Sequence, residues 1–379
     1  MAGRLTKPAK DEVLFVALGG CGEIGMNLYA YGHNNQWLIV DCGVAFGDLT
    51  TPGMDVLVPD IGPLLEGGGK IVGMAITHAH EDHIGAIPHL IEELDCPIFA
   101  TPFGASMIER KCESYGGREV EIVRVKQGGT ADIGDFKVEF VPVTHSIPEA
   151  CALSITTPAG RMIHTGDWKI DEDPQLGMMM DTDRLAALGR EGVLGLVCDS
   201  TNALEEGHSG SEGEVFPGLL EAVEKAEGRV AVTCFATNVA RVTTVAKVAQ
   251  ATGRRLALIG RSLHRLYEVS KENGYLQSFP DVVDEESVGR LPREEVLMLV
   301  TGTQGEPRAA LSKLARNEHP HVYLDAGDTV IYSSREIPGN ETDINKVRNE
   351  LAGLGVNVLA DGEDGLNVHV TGHPKRDEL

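Results

Sequence analysis

The 379-residue chain has no C-x-x-C pair, no apolar run approaching a membrane span, no internal repeat, no low-complexity tract and too few cations to balance its anions. Each absence removes a class of protein. Seven cysteines (Cys21, Cys42, Cys96, Cys112, Cys151, Cys198 and Cys234) are scattered and odd in number. Neither a disulfide framework nor a thiolate zinc site is indicated, and a reducing compartment fits. No window nears the ~18 apolar residues that a bilayer requires, and Met1 to Glu12 is polar and mixed in charge where a secretory signal would be apolar. The expectation is a soluble, cytoplasmic protein with no membrane contact. Without repeats or heptads, solenoids and coiled coils drop out. Lys and Arg total 33 against 57 Asp and Glu, a net charge of −24, and on its face such a field repels phosphates. Between Arg241 and Lys271, however, seven basic residues (Arg241, Lys247, Arg254, Arg255, Arg261, Arg265, Lys271) stand against one acid, Glu268. From composition alone this island reads as a solvated helix face.

What is present is concentrated at residues 77–88, Thr-His-Ala-His-Glu-Asp-His-Ile-Gly-Ala-Ile-Pro. An apolar strand, Ile71 to Ile76, runs into this stretch and a helix-like segment, Ile84 to Leu94, leaves it. The ligand-type side chains then sit on a loop at a strand's C-terminal end, where open α/β architectures place their chemistry. Imidazoles with a hard carboxylate suit zinc and the activation of water near neutral pH. A His-rich surface loop is the bland alternative; a lone histidine would leave it standing, whereas H-x-H-x-D-H argues for a metal site.

A hydrophobic content of 42% over this length is enough for more than one domain. The pattern changes near residue 205. Before it, short strands separated by Gly and Pro turns read as layered sheets. After it, helices at 211–227, 238–252, 262–273, 309–316 and 341–354 alternate with strands at 229–234, 256–259, 295–300, 329–332 and 356–359. That alternation predicts a β/α insert on a mostly parallel sheet. The acidic stretch from Asp281 to Glu286 reads as a turn.

The histidine loop resembles the signature of the metallo-β-lactamase superfamily of di-zinc hydrolases, with Asp82-His83 as the hydrolase variant. By that resemblance His145, which ends the run Val138 to Thr144, and Asp167, in His164-Thr165-Gly166-Asp167, become ligands. His78, His80 and His145 would hold one zinc, Asp82 and His83 the other, and Asp167 would bridge them. Asp41, after Trp37-Leu38-Ile39-Val40, would orient the histidine loop. His164 reads as structural. Further motifs are similar to those of the β-CASP nucleases, specifically the bacterial ribonuclease J family: Leu18 to Asn27, Cys198-Asp199-Ser200-Thr201-Asn202, Thr301-Gly302-Thr303-Gln304-Gly305-Glu306-Pro307, Ile337 to Glu341, and His369-Val370-Thr371-Gly372-His373. The implied fold is α/β, a metallo-β-lactamase αββα sandwich (residues 1–205) with an inserted β-CASP domain (206–366) and a return to the first domain beginning at 367–379.

The resemblance implies a zinc-dependent ribonuclease, a 5′-to-3′ exonuclease with endonuclease activity in RNA turnover and maturation, preferring 5′-monophosphorylated RNA. Asp82 and Asp199 would take part in catalysis and His373 would be the general acid. His369, Thr371, Gly372 and His373, with Thr301 and Gly302, would contact RNA phosphates, since small residues after a strand let backbone N–H groups approach phosphate oxygens. One departure stands out: the family continues past the His373 motif to a further zinc-ligand histidine in a His-Gly-Glu context, and this sequence contains none after His373. A truncated chain is therefore expected, with homo-oligomerisation dependent on the absent region. Two other readings stay open, a small-molecule hydrolase of the same superfamily and an inactive RNA-binding remnant.

Overall fold

Short apolar runs in the first half of the chain pair into two stacked sheets, and further short runs in the second half build a third. A computed structural model describes residues 5–47, 50–117 and 119–379. One compact unit comprises Met1–Ile170, Gly177–His208 and Gly372–Leu379; the other comprises Asp171–Leu176 and Ser209–Thr371.

The first unit contains strands β1 (Leu14–Gly19), β2 (Leu28–His33), β3 (Gln36–Val40), β4 (Ala45–Phe46), β5 (Val56–Leu57), β6 (Lys70–Ala75), β7 (Ile98–Ala100) and β8 (Ile122–Arg124), followed by β9 (Thr130–Ile133), β10 (Phe136–Pro142), β11 (Cys151–Thr157), β12 (Gly160–His164) and β13 (Gly195–Val197). Its helices are α1 (Gly62–Gly67), α2 (Glu81–Ile84), α3 (Ile87–Leu94), α4 (Pro102–Ser114) and α5 (Thr182–Glu191). One sheet has the order β1-β2-β3-β6-β7-β8, the other β13-β12-β11-β10-β9, and β4 with β5 forms a small ribbon. Between the two larger sheets, Tyr31, Leu38, Val40 and Ala75 pack against Phe136, Val138, Phe140, Leu153 and Ile155. Burial of each large apolar side chain contributes about 1.5–3 kcal/mol. Outside the second sheet, Leu188 of α5 joins Val143, Ala152, Ile163 and Trp168.

Strand direction brings the residues expected to be ligands to one end. β3 and β6 are parallel neighbours, so Asp41 and the histidine loop leave the first sheet on the same side. β10 and β12 both run antiparallel to β11, so they point the same way and deliver His145 and Asp167 together. β13 is parallel to β12 and adds Asp199. The histidine stretch differs from expectation. The segment read as one helix from Ile84 is two, α2 and α3, interrupted at Gly85 and Ala86. A Cβ at Gly85 would lie 2.6 Å from Val44 Cγ2, and Pro88, second in α3, has no N–H to continue a ladder from α2. Consequently Asp82 and His83 sit on α2, and only His78 and His80 lie on the loop before it.

The second unit holds β14 (Val230–Thr233), β15 (Arg255–Ile259), β16 (Val282–Val283), β17 (Val296–Val300), β18 (Thr329–Tyr332) and β19 (Asn357–Ala360), with helices α6 (Val215–Lys225), α7 (Val239–Thr252), α8 (Arg261–Glu272), α9 (Glu285–Val288), α10 (Ala310–Ala315) and α11 (Glu341–Gly353). The strand order is β16-β15-β17-β14-β18-β19, and every pairing is parallel. β14, β17 and β18 are buried throughout, which is why they read as unbroken apolar runs rather than alternating ones. The acidic stretch 281–286 is more than a turn: Val282 and Val283 pair with Leu256 and Ala257 as an edge strand, and Asp284 caps α9 by accepting from Ser287 N at 2.9 Å.

The basic island is only partly solvated. Arg255, Arg261 and Lys271 are exposed, whereas Arg241 is completely buried. Its guanidinium donates to both Glu212 oxygens at 2.7 and 3.1 Å, to Ser333 O and Oγ at 2.8 and 2.6 Å, and to Val368 O at 3.1 Å. Arg254 donates to the carbonyls of Ala226 (2.5 Å) and Gly228 (2.7 Å). These cations satisfy interior acceptors and are not available to a polyanion. Arg241→Met strands a buried carboxylate and is expected to cost about 3–5 kcal/mol. Arg241→Lys should also destabilise, because an ammonium cannot reproduce the two-pronged contact. Urea unfolding of the variants measures both.

Candidate metal centre

At the strand ends of the first unit, four imidazole nitrogens surround one carboxylate oxygen. Asp167 Oδ2 lies 3.3 Å from His83 Nε2, 3.8 Å from His78 Nε2, 4.0 Å from His145 Nε2 and 3.8 Å from His373 Nδ1. His80 Nδ1 is 3.1 Å from both His78 Nε2 and His145 Nε2. Among the described residues, three groups converge tightly enough to hold an ion: His78, His80, His145 and Asp167; Asp82, His83 and Asp167; and Asp167, Asp199 and His373.

The far nitrogens of these rings are tied to oxygens, which fixes the tautomers. His83 Nδ1 meets Asp41 Oδ2 at 2.8 Å, His145 Nδ1 meets Gly372 O at 2.7 Å, and His78 Nδ1 meets Thr77 Oγ1 at 3.0 Å. A carbonyl or carboxylate can only accept, so His145 and His83 carry their proton on Nδ1 and present Nε2 to the centre. Asp41, at φ 60°, also accepts from Thr77 N and Oγ1 at 2.8 Å each. A single buried carboxylate thereby holds the start of the histidine loop and the ring of His83. Gly166, at φ +57°, admits no side chain, because its Cβ would meet Thr77 Cβ at 2.8 Å.

Charge in the cluster divides the histidines into two kinds. Burial and the neighbouring His80 push His145 down to about 3, and burial with His83 holds His78 well below the usual imidazole range, so both offer a lone pair at neutral pH. Burial acts the same way on His83 and His373 but loses to the carboxylates. Asp167, Asp82 and Asp41 raise His83 well above its ordinary value, and Asp167 with Asp199 pulls His373 up to about 9. Asp82, only partly buried, is held low by His83. The raised values of His83 and His373 show that the carboxylates favour positive charge here. A divalent cation meets the same demand, and neutral imidazoles with carboxylates are the donors it prefers. The cluster suits a metal ion.

Asp199 accepts from His373 Nδ1 at 2.7 Å, and its own backbone N donates to Thr165 Oγ1 at 3.0 Å. Gly372 sits against His145: a Cβ on it would stand 2.8 Å from His145 Cε1, so a larger residue would displace the ring. The other residues expected to contact phosphate belong to the second unit. Thr301 Oγ1 accepts from Ala310 N at 3.3 Å and Gly302 adopts φ +117°, so the pair shapes the start of α10. His369 N donates to Asp361 Oδ1 at 3.0 Å, its Nδ1 is 3.4 Å from Arg241 Nη1, and Thr371 ends that unit.

Two family models match. Residues 36–191 fit the Beta-lactamase superfamily domain, and residues 227–351 fit the Ribonuclease J, beta-CASP domain. Ribonuclease J of Sinorhizobium meliloti is 47% identical over 97% of this chain and 66% of its own length. Ribonuclease J of Mycolicibacterium smegmatis is 40% identical over 100% of this chain and 68% of its own. The chain belongs to the ribonuclease J family. Its architecture is accordingly the metallo-β-lactamase sandwich with a β-CASP insert. The chain spans 53–68% of the length of the first curated ribonuclease J relatives it matches. A solved structure, a protein of unknown function from Enterococcus faecalis V583, shares the fold with a TM-score of 0.64 at 16% identity, over 95% of this chain and 88% of that one. Among the described residues, no helix is long and apolar enough to cross a membrane.

Sequence reasoning assigned no site role to Asn27, Thr77 or Ser146. Asn27 Nδ2 is 3.1 Å from His83 Nε2 and Ser146 Oγ is 3.4 Å from His80 Nε2. Thr77 and Ser146 each adjoin an assigned histidine, and Asn27 closes the Gly-rich motif; proximity in sequence was the available signal. His164 stands apart from the cluster, with its Nδ1 3.0 Å from Tyr31 OH and its ring against Tyr29. Burial pushes it down to about 4. Between that value and its ordinary 6.5 the unfolded chain binds the extra proton, so stability falls as pH drops through this window, by up to about 3 kcal/mol. In metal-free protein, His164→Gln should flatten the loss between pH 6.5 and 4, measured as denaturation midpoint against pH and compared with the parent.

Proposed function

We propose that this chain carries the catalytic centre of a metal-dependent ribonuclease that hydrolyses RNA phosphodiesters at a pair of zinc ions. The observation that carries this reading is the single Asp167 oxygen facing four imidazole nitrogens at 3.3–4.0 Å, an arrangement suited to a carboxylate bridging two cations. His78, His80 and His145 would hold one ion, Asp82 and His83 the other. When bound, such a pair supplies Lewis acidity toward the phosphoryl group and activates water near neutral pH.

The chain's own residues account for the remaining steps. Asp41 and the Gly372 carbonyl keep His83 and His145 in the tautomer that donates a lone pair. His373, protonated and braced by Asp199, is the proposed general acid, delivering a proton to the leaving oxygen. Thr301, Gly302, His369, Thr371 and Gly372 are the proposed phosphate contacts. Kinship to proteins named Ribonuclease J supports RNA as the substrate. A preference for a 5′-monophosphate, progress from 5′ to 3′ with endonucleolytic cuts, and self-association are further parts of the proposal.

The test is metal analysis joined to cleavage of 5′-phosphorylated RNA. His80→Ala should lose metal and all turnover, whereas His373→Ala should slow cleavage about 10²–10⁴-fold with metal content retained. Loss of metal in the His373 variant would refute its role as the acid. Turnover of thioesters or lactams by preparations that leave RNA intact would replace the nuclease reading with that of a small-molecule hydrolase.

A further inference from the structure

We propose that the side chain of Asn27 is a positioning residue for the Asp82–His83 half of the centre, setting its affinity for metal without being a ligand. The inference rests on reading Asp82 and His83 as ligands. Asn27 lies on the segment entering β2, fifty-five positions from Asp82, and both its backbone and side chain reach α2. Asn27 N and Nδ2 each donate to Asp82 O at 3.0 Å. Nδ2 is also 3.4 Å from Asp82 Oδ2 and 3.1 Å from His83 Nε2.

The orientation of the amide follows from its neighbours. A carbonyl and a carboxylate accept but cannot donate, so the amino group must face Asp82 and the amide oxygen must face away. There Tyr29 OH donates to Asn27 Oδ1 at 2.8 Å. Gly20 leaves the space for this pair, since a Cβ on it would stand 2.3 Å from Asn27 Oδ1 and 2.4 Å from Tyr29 OH. One amino hydrogen is spent on Asp82 O. The second faces Asp82 Oδ2 at 3.4 Å and His83 Nε2 at 3.1 Å, and of the two only the carboxylate accepts whether or not the ring is protonated or coordinated.

Coordination through His83 Nε2 would leave Asp82 Oδ2 as the acceptor within reach of the second hydrogen. Asp82 needs that bond, because its side chain is 36% exposed where Asp167 is 15%, and among the candidate ligands it is a carboxylate placed on the short helix α2. Asn27 thus holds Asp82 in the geometry of a ligand, and Tyr29 holds Asn27.

The experiment is a cobalt titration of the metal-free chain followed by its visible absorption, with direct metal counting, in the parent, Asn27→Ala, Tyr29→Phe and Asp82→Ala. For Asn27→Ala we expect the first equivalent to bind as in the parent, and the second to weaken about 10–100-fold with an altered cobalt spectrum, the size typical of losing a residue that supports a ligand. Tyr29→Phe, which keeps the ring and removes only the hydroxyl, should weaken the second equivalent in the same direction by a smaller factor and serves if the Ala variant does not fold. Parent-like binding of both equivalents in both variants, or equal weakening of both equivalents, would overturn the proposal. A parent that binds a single equivalent, or an Asp82→Ala variant whose second equivalent is unaffected, would defeat the ligand reading itself and this inference with it.

Discussion

The first unit is organised around an excess of negative charge at a partly buried cluster. Asp41, Asp82, Asp167 and Asp199 converge on one cluster of imidazoles, and isolated carboxylates cannot remain ionised in such surroundings without compensation. Every nearby feature answers that demand. The carboxylates push His83 and His373 up, burial pushes His78 and His145 down, and the oxygen of Asp167 stands between them. The backbone answers as well, through the amide of Thr77 on Asp41 and that of Thr201 on Asp199 at 2.9 Å.

Such a cluster can be assembled only if several strand ends meet, and the topology explains why they do. Antiparallel β11 between β10 and β12 forces its two neighbours into the same direction, so residues separated by a hairpin in sequence emerge side by side. The two sheets then stack through large apolar side chains such as Phe136, Phe140 and Tyr31. Precise sites are in general carried by well-packed elements of this kind.

Much of this was legible from residue order. The unbroken apolar runs that became β14, β17 and β18 announced a sheet buried on both faces, and the helices between them had regular spacing and caps, as at Asn238, whose side chain accepts from Arg241 N. The histidine stretch revealed its chemistry through composition alone. Less legible were features decided by distant partners. Nothing near Arg241 in sequence says that it will be buried against Glu212 and Val368, and an arginine in a basic stretch reads as solvated until the fold supplies a carboxylate. The same holds for Asn27, which stands between Met26 and Leu28 in sequence while its partners Asp82 and His83 lie on α2. The break between α2 and α3 was hidden because Ile84, Ile87 and Ile91 keep helical spacing across it.

The hydrogen bond between His145 Nδ1 and the carbonyl of Gly372 joins residues 227 positions apart. During synthesis, the loop bearing His78 to His83 leaves the ribosome long before that carbonyl exists. Until the later segment is made and folds back, the imidazole of His145 lacks the acceptor that sets its tautomer, and His373 has not yet reached Asp199. The nascent chain therefore passes through a stage in which His78 to His83 are present but the contacts of His145 with Gly372 and of His373 with Asp199 are not, so translation orders the assembly of the cluster.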